Sequence, residues 1–485
     1  MRKLLLASVC TLGALGMAAG ANAKAPAQAP TQESPIQGKF IGKPGATPGA
    51  NNNNNSFGTA RPGASAVPTP GTLVIHFNSR VVVQWFQGWT SIANATPGFS
   101  RTSNQMGTWM RLYGGADGMA ANGLRYGGAF EVRQNFSGAS NTPSAANPAS
   151  QAGAGTNLMT LYARRAFVYA GTNQLGVIRL GMGDGLISLF DQGRSTLQTY
   201  SPTAHFNGSD LQATAIGGNS APAFAFIVGS GDEYDTQKIV YLSPNFSGFD
   251  FGLQYSPAAG NSITGCQVTA STCSNLTTSA VPADGMRFKD MVSAGVRYQG
   301  NLGPVNLHAY GVYSYAGHVN NSLGAAASRA AVGAVAGSTW NGQFDNLNFG
   351  SVGVAATWMG VTLGANYLGG AVNGRMAARP AGGAGTNAIL VGAQYAVSGV
   401  PLTIGGVYMQ IDSQGAVAMT GRSQRHEYGF SFGGSYTLAP GMVLFADYLY
   451  QNRKQSGWNF ATGAVGAANN TVQGQGVVFG TQRTW

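Results

Sequence analysis

The sequence carries little charge for its length. Only 9% of its 485 residues are Asp, Glu, Lys or Arg, while the mean hydropathy is close to neutral at -0.02. A soluble domain normally covers its surface with about 25–35% charged residues. The composition therefore argues against a large soluble globular protein.

Long hydrophobic runs are also missing beyond residue 23, where no stretch approaches the roughly 20 apolar residues that a membrane-spanning helix needs. The one apolar run, Leu4 to Gly20, follows Arg2 and Lys3 and precedes the small residues Ala21-Asn22-Ala23. This pattern is typical of a secretory signal peptide. We expect residues 1–23 to be removed and the rest of the chain to be exported.

Cysteine and histidine are scarce. Cys266 and Cys273 are the two cysteines left after residue 23, and the five histidines show no metal-ligand spacing. A structural metal site would need about four such ligands, so no metal is predicted. In an oxidising compartment, the two cysteines are expected to form a small disulfide within a loop.

Enzyme and nucleic-acid signals are equally weak. There is no HExxH motif and no GxSxG motif on a strand-to-helix turn, and "GMGDG" (181–185) lacks the helix and the later acid of a dinucleotide site. The acidic "DEYD" (232–235) could hold Ca²⁺, but a plain loop is favoured. The formal net charge of +11 falls to +9 without Arg2 and Lys3, and no Lys/Arg run is present. We predict no enzyme, no cofactor and no nucleic-acid partner.

Residues 24–70 differ in composition from the rest of the chain. They contain eight prolines and the run Asn51–Asn55. Such a segment buries too little apolar surface to offset its ordering entropy, so we predict a disordered periplasmic extension. It serves either as a plain linker or as a contact to peptidoglycan or a partner.

From residue 71 onwards, apolar and polar residues alternate. In "FDFGLQYS" (249–256), Phe249, Phe251, Leu253 and Tyr255 share one parity, and small or polar residues share the other. This is the pattern of a half-apolar β-strand. Sixteen such segments are predicted: 71–86, 104–114, 123–135, 158–170, 175–183, 235–244, 248–257, 289–299, 304–315, 347–358, 361–372, 387–397, 401–411, 426–438, 441–454 and 472–485.

The connections between these segments alternate in length. Short ones such as "MG" (359–360) and "AP" (439–440) take turns with long ones, the longest being 184–234. This alternation predicts an all-β fold: a 16-stranded antiparallel transmembrane β-barrel over 71–485, with short periplasmic turns and long external loops. An even strand count leaves both termini on the periplasmic side, and Trp485 would then sit at the membrane interface.

The same residues resemble a known family, the general diffusion porins of Gram-negative outer membranes. The similar stretches are "GLRYGGAFEVRQNF" (123–136), "LYARRAFVYAGTNQLGVIRLGMGDGLISLFD" (161–191) and "IVYLSPNFSGFDFGLQYS" (239–256), together with the terminal aromatic residue. The resemblance covers about 71–485. It implies an outer-membrane homotrimer of water-filled barrels for small hydrophilic solutes and ions, with the third long loop folded inward as a constriction.

Charged residues around that loop are the candidate pore residues. Alternation places six arginines and one lysine on the lumen parity of strands one to six, and five acids lie on the third long connection. Arg165 falls on the opposite parity, which could face a subunit interface. The candidates are Arg80, Arg111, Arg125, Arg133, Arg164, Arg179 and Lys238, with Asp184, Asp191, Asp210, Asp232 and Glu233.

Two other functions fit the same pattern. One is a substrate-specific porin for a sugar or an anion. The other is a barrel whose long loops do the work, as an adhesin, a surface receptor or a barrel enzyme. Polar residues on most lumen-parity positions favour an open pore, because a barrel of sixteen strands is wider than side chains need for close packing.

The cysteine pair gives a first test. Replacing Cys266 by Ser should remove a bridge worth about 2–3 kcal/mol at most, because the loop it closes is short. Mass spectrometry of the unreduced protein should show the link, and conductance of the variant should match the parent. Loss of the folded barrel in the variant would place these residues within the strands instead.

Overall fold

A computed structural model describes residues 68–91, 104–135, 162–191, 193, 195–197, 237–258, 288–318, 344–373, 378–416, 424–461 and 464–484. The predicted signal peptide 1–23 and residues 24–67 of the predicted extension 24–70 lie outside this part of the chain, as do Asp210, Asp232, Glu233, Cys266, Cys273 and Trp485.

Strands account for nearly all regular structure in the described residues. They are β1 Thr72–Thr90, β2 Asn104–Met119, β3 Arg125–Asn135, β4 Tyr162–Thr172, β5 Gly176–Met182, β6 Gln237–Leu242, β7 Phe249–Ala258, β8 Phe288–Leu302, β9 Val305–His318, β10 Leu347–Trp358, β11 Val361–Ala371, β12 Thr386–Ala396, β13 Leu402–Ser413, β14 Arg425–Ala439, β15 Met442–Lys454, β16 Trp458–Asn459, β17 Ala464–Val465 and β18 Thr471–Thr484. One short helix, α1 (Leu186–Asp191), follows β5.

Sixteen of these strands form one closed antiparallel barrel. Each strand pairs with its neighbours in the chain, except that β18 pairs with β15 across the small β16–β17 hairpin. The barrel closes where β1 pairs with β18, from Arg80 opposite Thr484 to Thr90 opposite Gly474. The predicted 16-stranded barrel is therefore confirmed, and the last described residues form its closing strand.

The alternation of connection length is also confirmed. The turn between β10 and β11 is the pair Met359-Gly360, and both residues have positive φ, at 47° and 81°. This is the signature of the tightest hairpin turn, whose twist matches that of the strands. At the other end of the barrel, the longest connection runs from residue 183 to residue 236 between β5 and β6.

Strand ends differ from the predicted bounds by a few residues. β1 continues to Thr90 rather than residue 86, and β2 continues to Met119 rather than residue 114. Both extensions contain glycines and polar residues, which hide the alternation although the backbone ladder continues. The β16–β17 hairpin was not predicted, because two-residue strands carry no period.

The outer face of the barrel is apolar. Large side chains such as Phe251, Leu253 and Val296 are 42%, 50% and 60% exposed. Near the long-loop ends of β7–β18, outward tyrosines donate hydrogen bonds to polar side chains on neighbouring strands. These pairs, which we call the tyrosine girdle, are Tyr255–Asp290, Tyr313–Asn348, Tyr367–Asn387 and Tyr448–Gln475, at 2.7–3.0 Å. Tyrosine with an apolar body and a bonded hydroxyl suits a lipid–water interface.

The inner face carries both polar and apolar side chains. Residues of α1, Leu197 and residues of the 455–470 connection pack with inward side chains of strands between β6 and β13 in one buried cluster that includes Phe190, Val312, Leu390 and Phe460. Within the described residues, no helix is long and apolar enough to cross a membrane.

Candidate functional site: the inner wall and the third loop

Three arginines occupy neighbouring positions in the first three strands. Arg80 lies opposite Arg111 in the β1–β2 ladder, and Arg111 lies opposite Arg133 in the β2–β3 ladder. We call these the arginine row. Arg80 and Arg111 are on the inward parity, as predicted, and both side chains are mostly buried within the barrel. Like charges on directly opposed positions are unfavourable, so such a row implies nearby carboxylates, water or passing anions.

Three further predicted cations lie on the same wall. Arg125 and Arg179 are buried on the inward face of β3 and β5, and the Arg179 guanidinium stacks 4.0 Å from the centre of the Phe167 ring. Lys238 on β6 donates a 2.6 Å hydrogen bond to the carbonyl of Gly183. Lys238 therefore binds the base of the third long loop.

Arg165 lies inside the barrel and is buried. The simple alternation predicted the outer face for it, and that prediction is wrong. A bulge in the β3–β4 ladder places Glu131 opposite Arg165 and Val132 opposite Ala163, so Arg164 is the extra residue. The bulge lies before Arg165, and from Arg165 to Gly171 the ladder is regular, so Arg165 shares the inward parity of Phe167 and Tyr169, which are 6% and 4% exposed. The simple alternation fails here because it placed this ring-bearing parity outward. The side chain of Arg164, like that of Arg133, lies outside the described part of the structure.

Arg165 joins two carboxylates inside the barrel. Its Nη1 is 2.7 Å from Glu131 Oε2, and its Nη2 donates a 2.7 Å hydrogen bond to Asp184 Oδ1. All three side chains are at most 2% exposed. Arg111 Nε lies 3.8 Å from the other Glu131 oxygen. Glu131 was not among the predicted site residues, although it shares the inward parity of Arg125 and Arg133.

The start of the third long loop runs along the inner wall. The backbone N–H of Leu186 donates to Gln254 Oε1 on β7 at 2.7 Å. Arg297 on β8 donates to the Leu189 carbonyl at 3.1 Å and makes a two-pronged pair with Asp250, at 3.1 and 2.6 Å. The Asp250–Arg297 pair was missed, because both residues sit on the polar parity but only the β7–β8 register makes them opposite.

Asp191 ends α1 and organises the turn that follows. Its carboxylate accepts hydrogen bonds from the N–H of Gly193 at 3.0 Å, from the N–H of Ser195 at 3.1 Å, and from the Ser195 and Thr196 hydroxyls. Burial raises the pKa of the Asp191 carboxyl, and these hydrogen bonds oppose that change. The side chain has no exposed surface, so its charge faces its own turn.

The turn contacts the far wall. Asn366 on β11 donates a 2.8 Å hydrogen bond to Ser195 Oγ and a 2.7 Å hydrogen bond to the hydroxyl of Tyr310 on β9. Leu197 belongs to the buried cluster formed with β8–β13. The described residues 183–191, 193 and 195–197 thus lie along the inner face between the end of β5 and strands β11 and β12.

A second ionic cluster lies on β14 and β15. Arg453 is opposite Glu427 and forms a buried ion pair with it. Arg425 donates a 3.1 Å hydrogen bond to Gln455 and lies 5.4 Å from the centre of the Phe460 ring. These residues bind the 455–470 connection to the wall. None of them is among the predicted pore residues, which all lie on the first six strands and the third long loop.

A closed barrel with an apolar outer band, a girdle of tyrosines and a charged inner wall defines an outer-membrane β-barrel protein. A family model described as "Gram-negative porin" matches residues 82–456. The chain belongs to the Gram-negative porin family, and its fold is that of a channel rather than an enzyme. Membership places it in the outer membrane. No protein with a curated description matches the chain.

Solved structures show the same fold at low identity. An anion-selective porin from Comamonas acidovorans is 17% identical, with a TM-score of 0.50, and the match covers 85% of this chain and 100% of that one. OmpF of Salmonella typhi, in complex with daunomycin, is 16% identical with a TM-score of 0.48, and the match covers 85% and 97%. These similarities concern the fold.

The buried contacts of Arg165 with Glu131 and Asp184 lead to a prediction about stability. Replacing Arg165 by Met should leave Glu131 and Asp184 buried without their shared partner, at a cost of about 3–5 kcal/mol. The temperature at which the detergent-solubilised protein loses its folded gel mobility should fall clearly. Replacing the exposed Lys454 by Met removes one positive charge without breaking a buried pair and is the control. An equal fall in this temperature in both variants would mean that Arg165 does not stabilise the folded barrel.

Proposed function

We propose that this protein forms a water-filled channel for the passive diffusion of small hydrophilic solutes and ions, with the third long loop as its constriction. The observation that supports this most strongly is the path of residues 183–197. They lie inside the barrel, bonded to Lys238, Gln254 and Arg297 on one side and to Asn366 on the other. A segment held across the lumen reduces its cross-section at that level.

The inner wall of β1–β6 supports a preference for anions. Its described charged residues include more bases than acids. The bases are Arg80, Arg111, Arg125, Arg165, Arg179 and Lys238, and the acids are Asp117, Glu131 and Asp184. Arg165 is paired with two of those acids, and the buried Asp191 faces its own turn. The described part of the third loop therefore offers little negative charge to oppose the arginine row.

Selectivity measurements test this. A charge about 8 Å from a passing ion in water acts on it with about 0.5 kcal/mol, or roughly a twofold effect on partition. Replacing Arg80 and Arg111 by Gln should lower the anion-to-cation permeability ratio about twofold or more. The measurement is the zero-current potential in a low-salt gradient across a planar bilayer.

The outward Arg483→Gln variant is the control for that experiment, and its potential should equal that of the parent. The effect of the double variant should shrink at molar salt, where screening acts over about 3 Å. An unchanged potential at low salt would mean that the arginine row does not line the narrow part of the pore.

We also propose a homotrimer. The tyrosine girdle covers β7–β18, whereas the described outward side chains near the long-loop ends of β2–β5 include no tyrosine. Small outward residues, such as Gly114, Gly128, Ala166 and Ala170, lie on β2–β4 instead. Exposed apolar side chains such as Phe130 and Val168 lie among them. An apolar sector without an interfacial girdle suits contact with another protein copy better than contact with lipid.

A gel experiment tests the trimer. The unboiled protein in detergent should migrate near three chains and collapse to one chain on boiling. Ala166→Trp on β4 should destabilise the trimer, because the ring would clash at the interface. The matched Ala294→Trp variant, at an exposed outward position of β8, should not, since lipid accommodates a tryptophan. A single-chain band for the unboiled parent would contradict the proposal.

A further inference from the structure

Glycines occupy the inner wall where the third loop touches it. Gly252 on β7, Gly353 on β10, Gly364 on β11 and Gly392 on β12 all lie on the inward parity of their strands. We call these four residues the glycine track. Glycine in a strand interior weakens the strand and often marks a place where other atoms approach the backbone closely.

The track has no room for side chains. A Cβ at Gly364 would lie 2.6 Å from the Ser195 carbonyl oxygen and 2.8 Å from Leu197 Cγ. A Cβ at Gly353 would meet Ser195 Oγ and the Tyr310 ring and would lie 2.8 Å from Ser195 Cβ, and one at Gly252 would meet Leu186 Cδ1 and lie 3.1 Å from Phe190 Cζ. A Cβ at Gly392 would lie 2.9 Å from Leu197 Cδ1, and 2.5 Å from both the Gly406 carbonyl oxygen and Val407 Cγ1 on β13. The third loop therefore packs directly against bare backbone.

A glycine on the outward face of the same strand behaves differently. Gly350 on β10 would place a Cβ no closer than 3.8 Å to another atom, which is an ordinary contact. The intrinsic cost of glycine in a strand is the same at both positions. Only the inward positions meet the loop. At Gly364 the three nearest atoms all belong to Ser195 and Leu197, so the loop supplies the reason for glycine there, whereas Gly353 also faces the Tyr310 ring on β9.

The loop cannot easily slide along the wall to escape an added methyl group. Arg297 holds the Leu189 carbonyl, Gln254 holds the Leu186 N–H, and Asn366 holds Ser195 Oγ. Asp191 fixes the turn between these points through hydrogen bonds to Gly193, Ser195 and Thr196. The free direction is away from the wall, toward the centre of the barrel.

We infer that the glycine track sets the width of the pore, by letting the constriction loop lie one side chain deeper against β7 and β10–β12 than a substituted wall would permit. This inference rests on the proposed channel function. A methyl group on the track moves residues 195–197 toward the arginine row. The pore then narrows without any change in its charged residues.

Single-channel recordings test the inference with a matched pair of variants. Gly353→Ala and Gly364→Ala should each lower the conductance, by on the order of a tenth or more, because conduction depends on pore diameter. Larger neutral solutes should be excluded earlier than in the parent. Gly350→Ala adds the same methyl group to the outward face of β10, and it should conduct as the parent does.

The outcomes separate two failures. A parent protein that folds but passes no current would overturn the proposed channel function. A parent that conducts, with Gly353→Ala and Gly364→Ala equal to Gly350→Ala, would overturn the glycine inference alone. Heat-modifiable gel mobility establishes that each variant has folded before it is recorded.

A disulfide trap tests the loop position independently of conduction. Ser195→Cys with Gly353→Cys, in a chain where Cys266 and Cys273 are Ser, brings two Cβ positions to 2.8 Å, and the loop need move outward by only about 1 Å to reach disulfide geometry. The bond should form on oxidation, and mass spectrometry should detect it. A control with Gly350→Cys in place of Gly353→Cys should stay reduced. Failure of the first pair to link would mean that the loop does not lie on the track.

Discussion

Backbone hydrogen bonding in a medium without water is the constraint on which this structure depends. Every N–H and C=O within the hydrocarbon layer needs a partner, and a sheet meets that need only by closing on itself. The β1–β18 ladder provides the closure. Once the barrel is closed, strand alternation sends one set of side chains to lipid and the other set to an enclosed space. The polar inner wall follows from that geometry.

Several charged side chains in the enclosed space hold the third loop in place. Three basic residues hold the third loop: Arg165, Lys238 and Arg297. Three acids take part in the same contacts or fix the turn of the loop: Asp184, Asp250 and Asp191. In the arginine row, Arg111 lies 3.8 Å from Glu131 on the neighbouring strand. A count of charges from the sequence does not reveal these pairings, because partners are assigned by register and not by number.

The sequence predicted the sixteen strands, their order and the alternation of loop lengths, because an amphipathic strand and a short turn are local signals. It predicted the inward parity of Arg80, Arg111, Arg125 and Arg179 for the same reason. It misplaced Arg165, because this residue shares its parity with Phe167 and Tyr169, and rings of that kind are equally typical of a lipid-facing side. The partners of Arg297 and Ser195 depend on contacts 47 and 171 residues away along the chain, which no local pattern encodes.

The most direct test of the central claim, that the enclosed space is an aqueous path through the outer membrane, is the current through the unmodified protein in a planar lipid bilayer at molar salt. A water-filled channel predicts discrete steps whose current is proportional to voltage near zero potential. Folded, heat-modifiable protein that inserts into the bilayer but yields no steps would contradict the account.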